Sequence, residues 1–97
     1  MWKYKVCTED TIVSNAPCVN KKIALEEVTT GTTAAVYDES DGGKDADKKI
    51  WTLRTVTSYR LTNEIDFGDE GVFFNEGCCI EFTAADSDGT VLVVYKL

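Results

Sequence analysis

Five carboxylates crowd ten residues of this chain: Asp38, Glu39, Asp41, Asp45 and Asp47, with Gly42 and Gly43 between them. Oxygen-rich loops of this kind hold calcium, which takes about six to eight oxygen ligands. The register of an EF-hand is not met. Tyr37 stands two residues before Glu39, and Lys48 stands at the closing position. A second acidic turn, Asp86-Ser87-Asp88-Gly89, has Ala84 where the first ligand belongs. The simpler reading is a solvated loop and a hairpin turn. No metal and no cofactor are expected, with calcium as the alternative.

Four cysteines, Cys7, Cys18, Cys78 and Cys79, raise zinc and nucleophilic chemistry. Structural zinc uses paired C-x2-C knuckles, a spacing that this chain lacks. A reactive thiol needs a base or a cationic neighbour, yet Cys78-Cys79 lies between Gly77 and Ile80. The chain has no histidine. Ser–His and Cys–His pairs are therefore excluded, along with the commonest general base. No Gly-rich phosphate loop opens a helix. The expectation is a protein that is not an enzyme. Adjacent cysteines strain a mutual bond, and on a strand they point to opposite faces. Cys78 shares a face with Ile80 and Phe82 and reads as a small core hydrophobe. Free thiols are expected, with a Cys7–Cys18 disulfide as the alternative.

Aromatic side chains offer a third chemistry, stacking on sugars. Trp2, Tyr37, Trp51 and Tyr59 all fall in strand-like segments. Trp2 and Trp51 alternate with aliphatic residues, which favours the core for both over a sugar shelf built from Trp51, Trp2 and Tyr59. A net charge of −7 and a pI near 4.4 oppose nucleic-acid binding, which needs a basic stripe to displace counterions from phosphates. No apolar run is long enough to span a membrane. The opening Met1–Val6 lacks the apolar stretch of a signal peptide, so no secretion signal of its own is expected.

The elements that must position these groups are short strands cut by turns. Trp2, Tyr4 and Val6 alternate with Lys3 and Lys5, predicting a half-buried strand with the apolar three facing in. Residues 11–14 form a second strand, and Pro17 marks a turn. A strand over 21–29 places Ile23 and Leu25 on one face, and 33–38 returns as its hairpin partner. Residues 39–48 read as an exposed, mobile loop. Further strands are expected over 49–53, with Trp51 and Leu53 on one face, then 55–61, 64–67, 72–74 and 78–83. The closing strand 91–97 is apolar on both faces: Val91, Val93 and Tyr95 on one, Leu92 and Val94 on the other. A two-layer protein has no third layer for that outer face, which points to a subunit contact. Ninety-seven residues make one domain spanning 1–97. The fold class is all-β, an antiparallel β-sandwich or jelly-roll of about eight short strands.

Particular segments carry a resemblance. They are Ile12-Val13-Ser14-Asn15-Ala16, Lys21-Lys22-Ile23-Ala24-Leu25, Gly31-Thr32-Thr33-Ala34-Ala35-Val36-Tyr37-Asp38 and Ile50-Trp51-Thr52-Leu53. Ile65-Asp66-Phe67, Gly71-Val72 and the closing Gly89–Tyr95 complete the pattern. Together, over Thr11 to Leu97, the chain resembles the small β-sandwich structural proteins of tailed-bacteriophage virions. The loop 39–48 and the Cys78-Cys79 pair have no counterpart in that pattern. The resemblance implies a capsid decoration or cement protein, or else a tail or head–tail connector component. It implies binding to the major capsid protein or other virion proteins, self-association as a trimer, and assembly in the host bacterium. Trp2, Tyr4, Val91, Leu92, Val93, Val94 and Tyr95 are then the candidate interface, as segments with surplus apolar surface.

Overall fold

The computed structural model describes residues 1–26, 33–54, 63–82 and 89–97. Those residues form nine strands: β1 (Lys3–Cys7), β2 (Thr11–Ser14), β3 (Cys18–Glu26), β4 (Thr33–Tyr37), β5 (Lys49–Arg54), β6 (Asn63–Asp66), β7 (Val72–Phe74), β8 (Cys78–Phe82) and β9 (Thr90–Lys96). A single 3-10 turn, Ala46–Lys48, precedes β5. The strands make two antiparallel sheets. One has five strands in the order β1-β9-β3-β6, with β7 also pairing with β3; the other runs β2-β8-β4-β5. The molecule is an all-β sandwich. The predicted strand over 55–61 lies outside the described residues.

Alternation explains which side chains fill the space between the sheets. Cys7, Val91, Val93, Ile23, Leu25, Cys18 and Phe74 come from the five-stranded sheet, and Ala34, Val36, Leu53, Cys78 and Ile80 from the other. Phe67 packs edge-on against Phe74, with ring centroids 6.3 Å apart. Strand β3 would lose its phase without a bulge between Asn20 and Lys22. The extra residue lets Cys18 and Asn20 face inward on even positions and Ile23 and Leu25 on odd ones.

Several expectations are corrected. The strands β3 and β4 are not a hairpin, for they belong to different sheets. Alternation marks a strand as half-buried but does not name its partner. Strand β1 has the predicted period and the opposite orientation. Its register on β9 pairs Lys3, Lys5 and Cys7 with Tyr95, Val93 and Val91, so those three form the inward row. Tyr4 and Val6 point outward and are 73% and 51% exposed. Lys3 and Lys5 stay solvated because β1 is an edge strand, and only Cys7 reaches the core. Trp51 is not core either. It shares a side with Leu53 yet sits where edge strands β5 and β6 meet, and it is 60% exposed. Val91 and Val93 are fully buried within the chain, so they present no surface to a partner.

All four cysteines are buried and unpaired, which replaces the Cys7–Cys18 alternative with free thiols. Burial pushes every one of these thiols above the ordinary cysteine range, Cys78 furthest. Titration with a thiol reagent should therefore find no fast-reacting thiol in the native protein and four after denaturation. A rapidly labelled native cysteine would contradict this packing.

Candidate interaction surface

A two-layer sandwich has two outer faces, and this chain treats them differently. On the four-stranded sheet, Ala35, Tyr37 and Cys79 point outward but are buried as a second small cluster. The chain's own segment 38–48 lies against Tyr37 and Cys79. Glu39 is 1% exposed, and its carbonyl accepts a hydrogen bond from Cys79 Sγ at 3.0 Å. The Glu39 carboxylate accepts the Lys44 backbone N–H. Lys44 Nζ reaches Asp10 at 2.7 Å and Glu81 at 3.5 Å. Tyr37 donates its hydroxyl to Glu81 at 3.0 Å, and Asp10 also accepts the Phe82 N–H at 2.8 Å. The expected mobile loop is instead a roof, latched to the sheet by Lys44. The apolar positions beneath it have no large loop hydrophobe to signal the contact, so composition alone read as solvated.

One carboxylate anchors the root of this roof. Asp38 accepts the N–H groups of Asn75, Glu76 and Gly77 at 3.0, 2.8 and 3.3 Å. Its own N–H donates to the Lys48 carbonyl at 2.9 Å. Asp38 thus ties both ends of the loop to the β7–β8 turn. Gly77 is required there: an added Cβ would sit 2.4 Å from the Ser14 carbonyl and 2.8 Å from that of Glu39.

A cleft of about 260 Å³ remains under the roof, lined in part by Asp10, Tyr37, Lys44, Cys79 and Glu81. Its polar groups satisfy one another. Burial holds the Cys79 thiol protonated, so it is a hydrogen-bond donor and not a nucleophile. Burial and the Glu81 carboxylate push the Tyr37 hydroxyl up. The loop carboxylates of Asp38, Glu39 and Asp41 are occupied by backbone N–H groups. Among the described residues no three Cys, Asp or Glu side chains converge as metal ligands.

The outer face of the five-stranded sheet is different: no described residue covers it. Its side chains follow from the strand registers. Val6 and Leu92 stand beside Ala24 and Glu64, and Tyr4 and Val94 stand beside Lys22 and Asp66. The next row holds Lys96, Val19 and Phe73, the last 58% exposed. Trp2 continues this row. Its ring lies 4.6 Å from Lys96 Nζ and 5.4 Å from Lys21 Nζ, a cation–π arrangement. The indole reaches Gly71, whose φ is +77° and where a Cβ would approach Trp2 to 3.1 Å. Lys22 and Glu64 form an ion pair at 3.0 Å on the same face.

Of the residues expected at an interface, Trp2, Tyr4, Leu92 and Val94 come together here. Tyr95 turns inward and packs against the core. Val6, Ala24, Val19 and Phe73 join the patch without having been singled out, because only the sheet order places them beside β9. The proposed sugar shelf does not assemble. Trp51 lines a separate groove with Ile50, Glu64, Ile65, Asp66 and Phe67, Trp2 is not in it, and Tyr59 lies outside the described residues. Comparison with known proteins gives no match among family models, curated sequences or solved structures.

Two outcomes test the roof. Asp38→Ala leaves three N–H groups without their acceptor and should cost about 2–3 kcal/mol, read as a lower urea midpoint at unchanged slope. Unchanged stability would remove Asp38 as the anchor. The latch should also respond to pH. The hydrogen bond from Lys44 lowers the Asp10 carboxyl, and Asp10 raises the Lys44 ammonium. A lowered acid stabilises above its unfolded value and loses that contribution as pH falls through the folded value; a raised base loses its contribution as pH rises through its folded value. Proton exchange of the Lys44 amide should therefore be slowest, after correction for intrinsic rate, in the neutral range. A latch insensitive to both acid and alkali would contradict the pairing.

Proposed function

We propose that this protein is a non-catalytic scaffold that works by packing its bare sheet face into a larger protein assembly. In its specific form, the reading is a structural protein of a tailed-phage virion, decorating or cementing the head. The carrying observation is the contrast between the two outer faces: one is roofed by the chain's own loop, and on the other, which no described residue covers, Tyr4, Val6 and Phe73 are exposed and Leu92 and Val94 half-buried. Contiguous exposed apolar surface of this kind marks interaction sites. The inverted pattern of β1 supports the same reading, since its outward row is apolar and its inward row carries two lysines.

The virion setting rests on the sequence resemblance. In that setting the partner is the major capsid protein or a neighbouring virion protein, and a tail or connector position would use the same face. The lack of histidine and the protonated state of the buried thiols support a role without catalysis. Carbohydrate binding has one observation in its favour, the exposed Trp51 beside Glu64 and Asp66 in an apolar groove of about 420 Å³.

The test is to read the neighbouring genes for a major capsid gene, co-express the two and follow with gradient sedimentation; a neighbourhood without virion genes would overturn the phage reading. The protein should travel with assembled shells, and Leu92→Lys should leave it at the top of the gradient while Trp51→Ala should not. A protein that never enters the shell fraction, or a Trp51-dependent glycan ligand without shell binding, would overturn the proposal.

A further inference from the structure

We infer that segment 39–47 is a hinged strap, firmly rooted at both ends and lightly latched at its tip, and that its local lifting uncovers Cys79 while the sandwich stays folded. This stands apart from the bare face, since the strap lies on the opposite sheet. The registers show what it crosses. Cys79 pairs with Ile12 on one side and with Tyr37 on the other, so the three form one outward row over β2, β8 and β4. The chain leaves Tyr37 and lays the Glu39 carbonyl on the Cys79 thiol. It reaches Ile12 at Gly42, where an added Cβ would lie 3.5 Å from Ile12 Cδ1. Lys44 then clamps the next row through Asp10 and Glu81. Cys79 is only 3% exposed beside this crossing. The other three cysteines lie between the sheets, where only separation of the layers reaches them.

The strap's bonds divide into three groups of unequal strength. Its roots are fixed: Asp38 holds the β7–β8 turn and the Lys48 carbonyl, and Lys48 Nζ pairs with Glu76 at 3.0 Å. Its interior is tied to itself, since the Lys44 N–H donates to the Glu39 carboxylate and the Gly43 N–H to Asp41. It can therefore move as a preformed flap. Its holds on the sheet, among the described residues, are the thiol–carbonyl bond, the two Lys44 ion pairs and the touch of Gly42 on Ile12. The ion pairs are partly exposed, and water and salt weaken such pairs. The strap has no hydrophobe larger than Ala46, which is exposed, so lifting it sacrifices little apolar contact of its own. The Glu39 carboxylate regains water. Lys44 also sits at a φ of +59°, a left-handed conformation that its side chain disfavours and that lifting relieves. Segments with few apolar contacts open well below the free energy of global unfolding. Cys79 is thus a thiol held back by a movable cover, and the remaining three are held back by the whole fold.

Position-resolved labelling with a neutral maleimide, read by peptide mass spectrometry across a urea series, tests the strap. In dilute urea Cys79 should label at least about tenfold faster than Cys7, Cys18 and Cys78, though still far more slowly than an exposed thiol. Its rate should depend weakly on urea, whereas the other three should share the steep dependence of global unfolding. Lys44→Ala should raise the Cys79 rate about threefold to tenfold relative to that of Cys78. Added salt should act in the same direction on the unaltered protein. Four cysteines labelling at one common urea-dependent rate, Cys79 labelling slowest, or a Cys79 rate indifferent to both Lys44→Ala and salt would each overturn the inference.

Discussion

Two packed sheets have four faces and bury only two of them. Everything distinctive about this chain follows from how it handles the remaining pair. One is closed from within: Asp38 gathers three backbone N–H groups of the β7–β8 turn, and the loop it anchors lies over Tyr37 and Cys79 with Lys44 as its latch. The other is covered by no described residue, and its apolar side chains stand among Lys22, Glu64 and Asp66. A chain of 97 residues has a modest core, and leaving Tyr4, Val6 and Phe73 exposed forgoes burial that a self-contained fold would use.

The same division explains the acidic loop. Its carboxylates looked like metal ligands because they are dense in sequence. In space they are separated by their tasks: Asp38 caps a turn, Glu39 is buried against the backbone of Lys44, and Asp41 stabilises its own local turn through Gly43. Asp10, seventy-two residues from Phe82, closes the arrangement from the other side of the sheet edge. The cleft this encloses is chemically quiet. Its carboxylates and Lys44 are committed to one another, and the thiol donates to the Glu39 carbonyl and stays protonated.

Strand positions and fold class were legible, because period-two alternation and turn residues report local geometry directly. Strands β2, β4, β6, β7 and β8 fall within a few residues of their expected places. What alternation could not report is which side is the inside. For β1 hydrophobicity predicts the apolar row in the core, and it faces out; Cys7, the one residue of the strand that is buried, lies on the row with two lysines. Partner choice is hidden too: adjacency predicts a β3–β4 hairpin, yet the two sit in opposite sheets. The doubly apolar β9 was the clearest signal of an exposed patch. The residues that complete this patch, Val19, Ala24 and Phe73, are near β9 only through sheet order.

The central claim is that the outer face of the five-stranded sheet is covered in the working assembly while the opposite face is already closed. Hydroxyl-radical footprinting of dilute and assembled protein measures this directly. Tyr4 and Phe73 should be heavily oxidised when dilute and protected on assembly, with Tyr37 protected in both states. Tyr4 remaining equally reactive in every state, or Tyr37 reacting like a surface residue, would contradict the account.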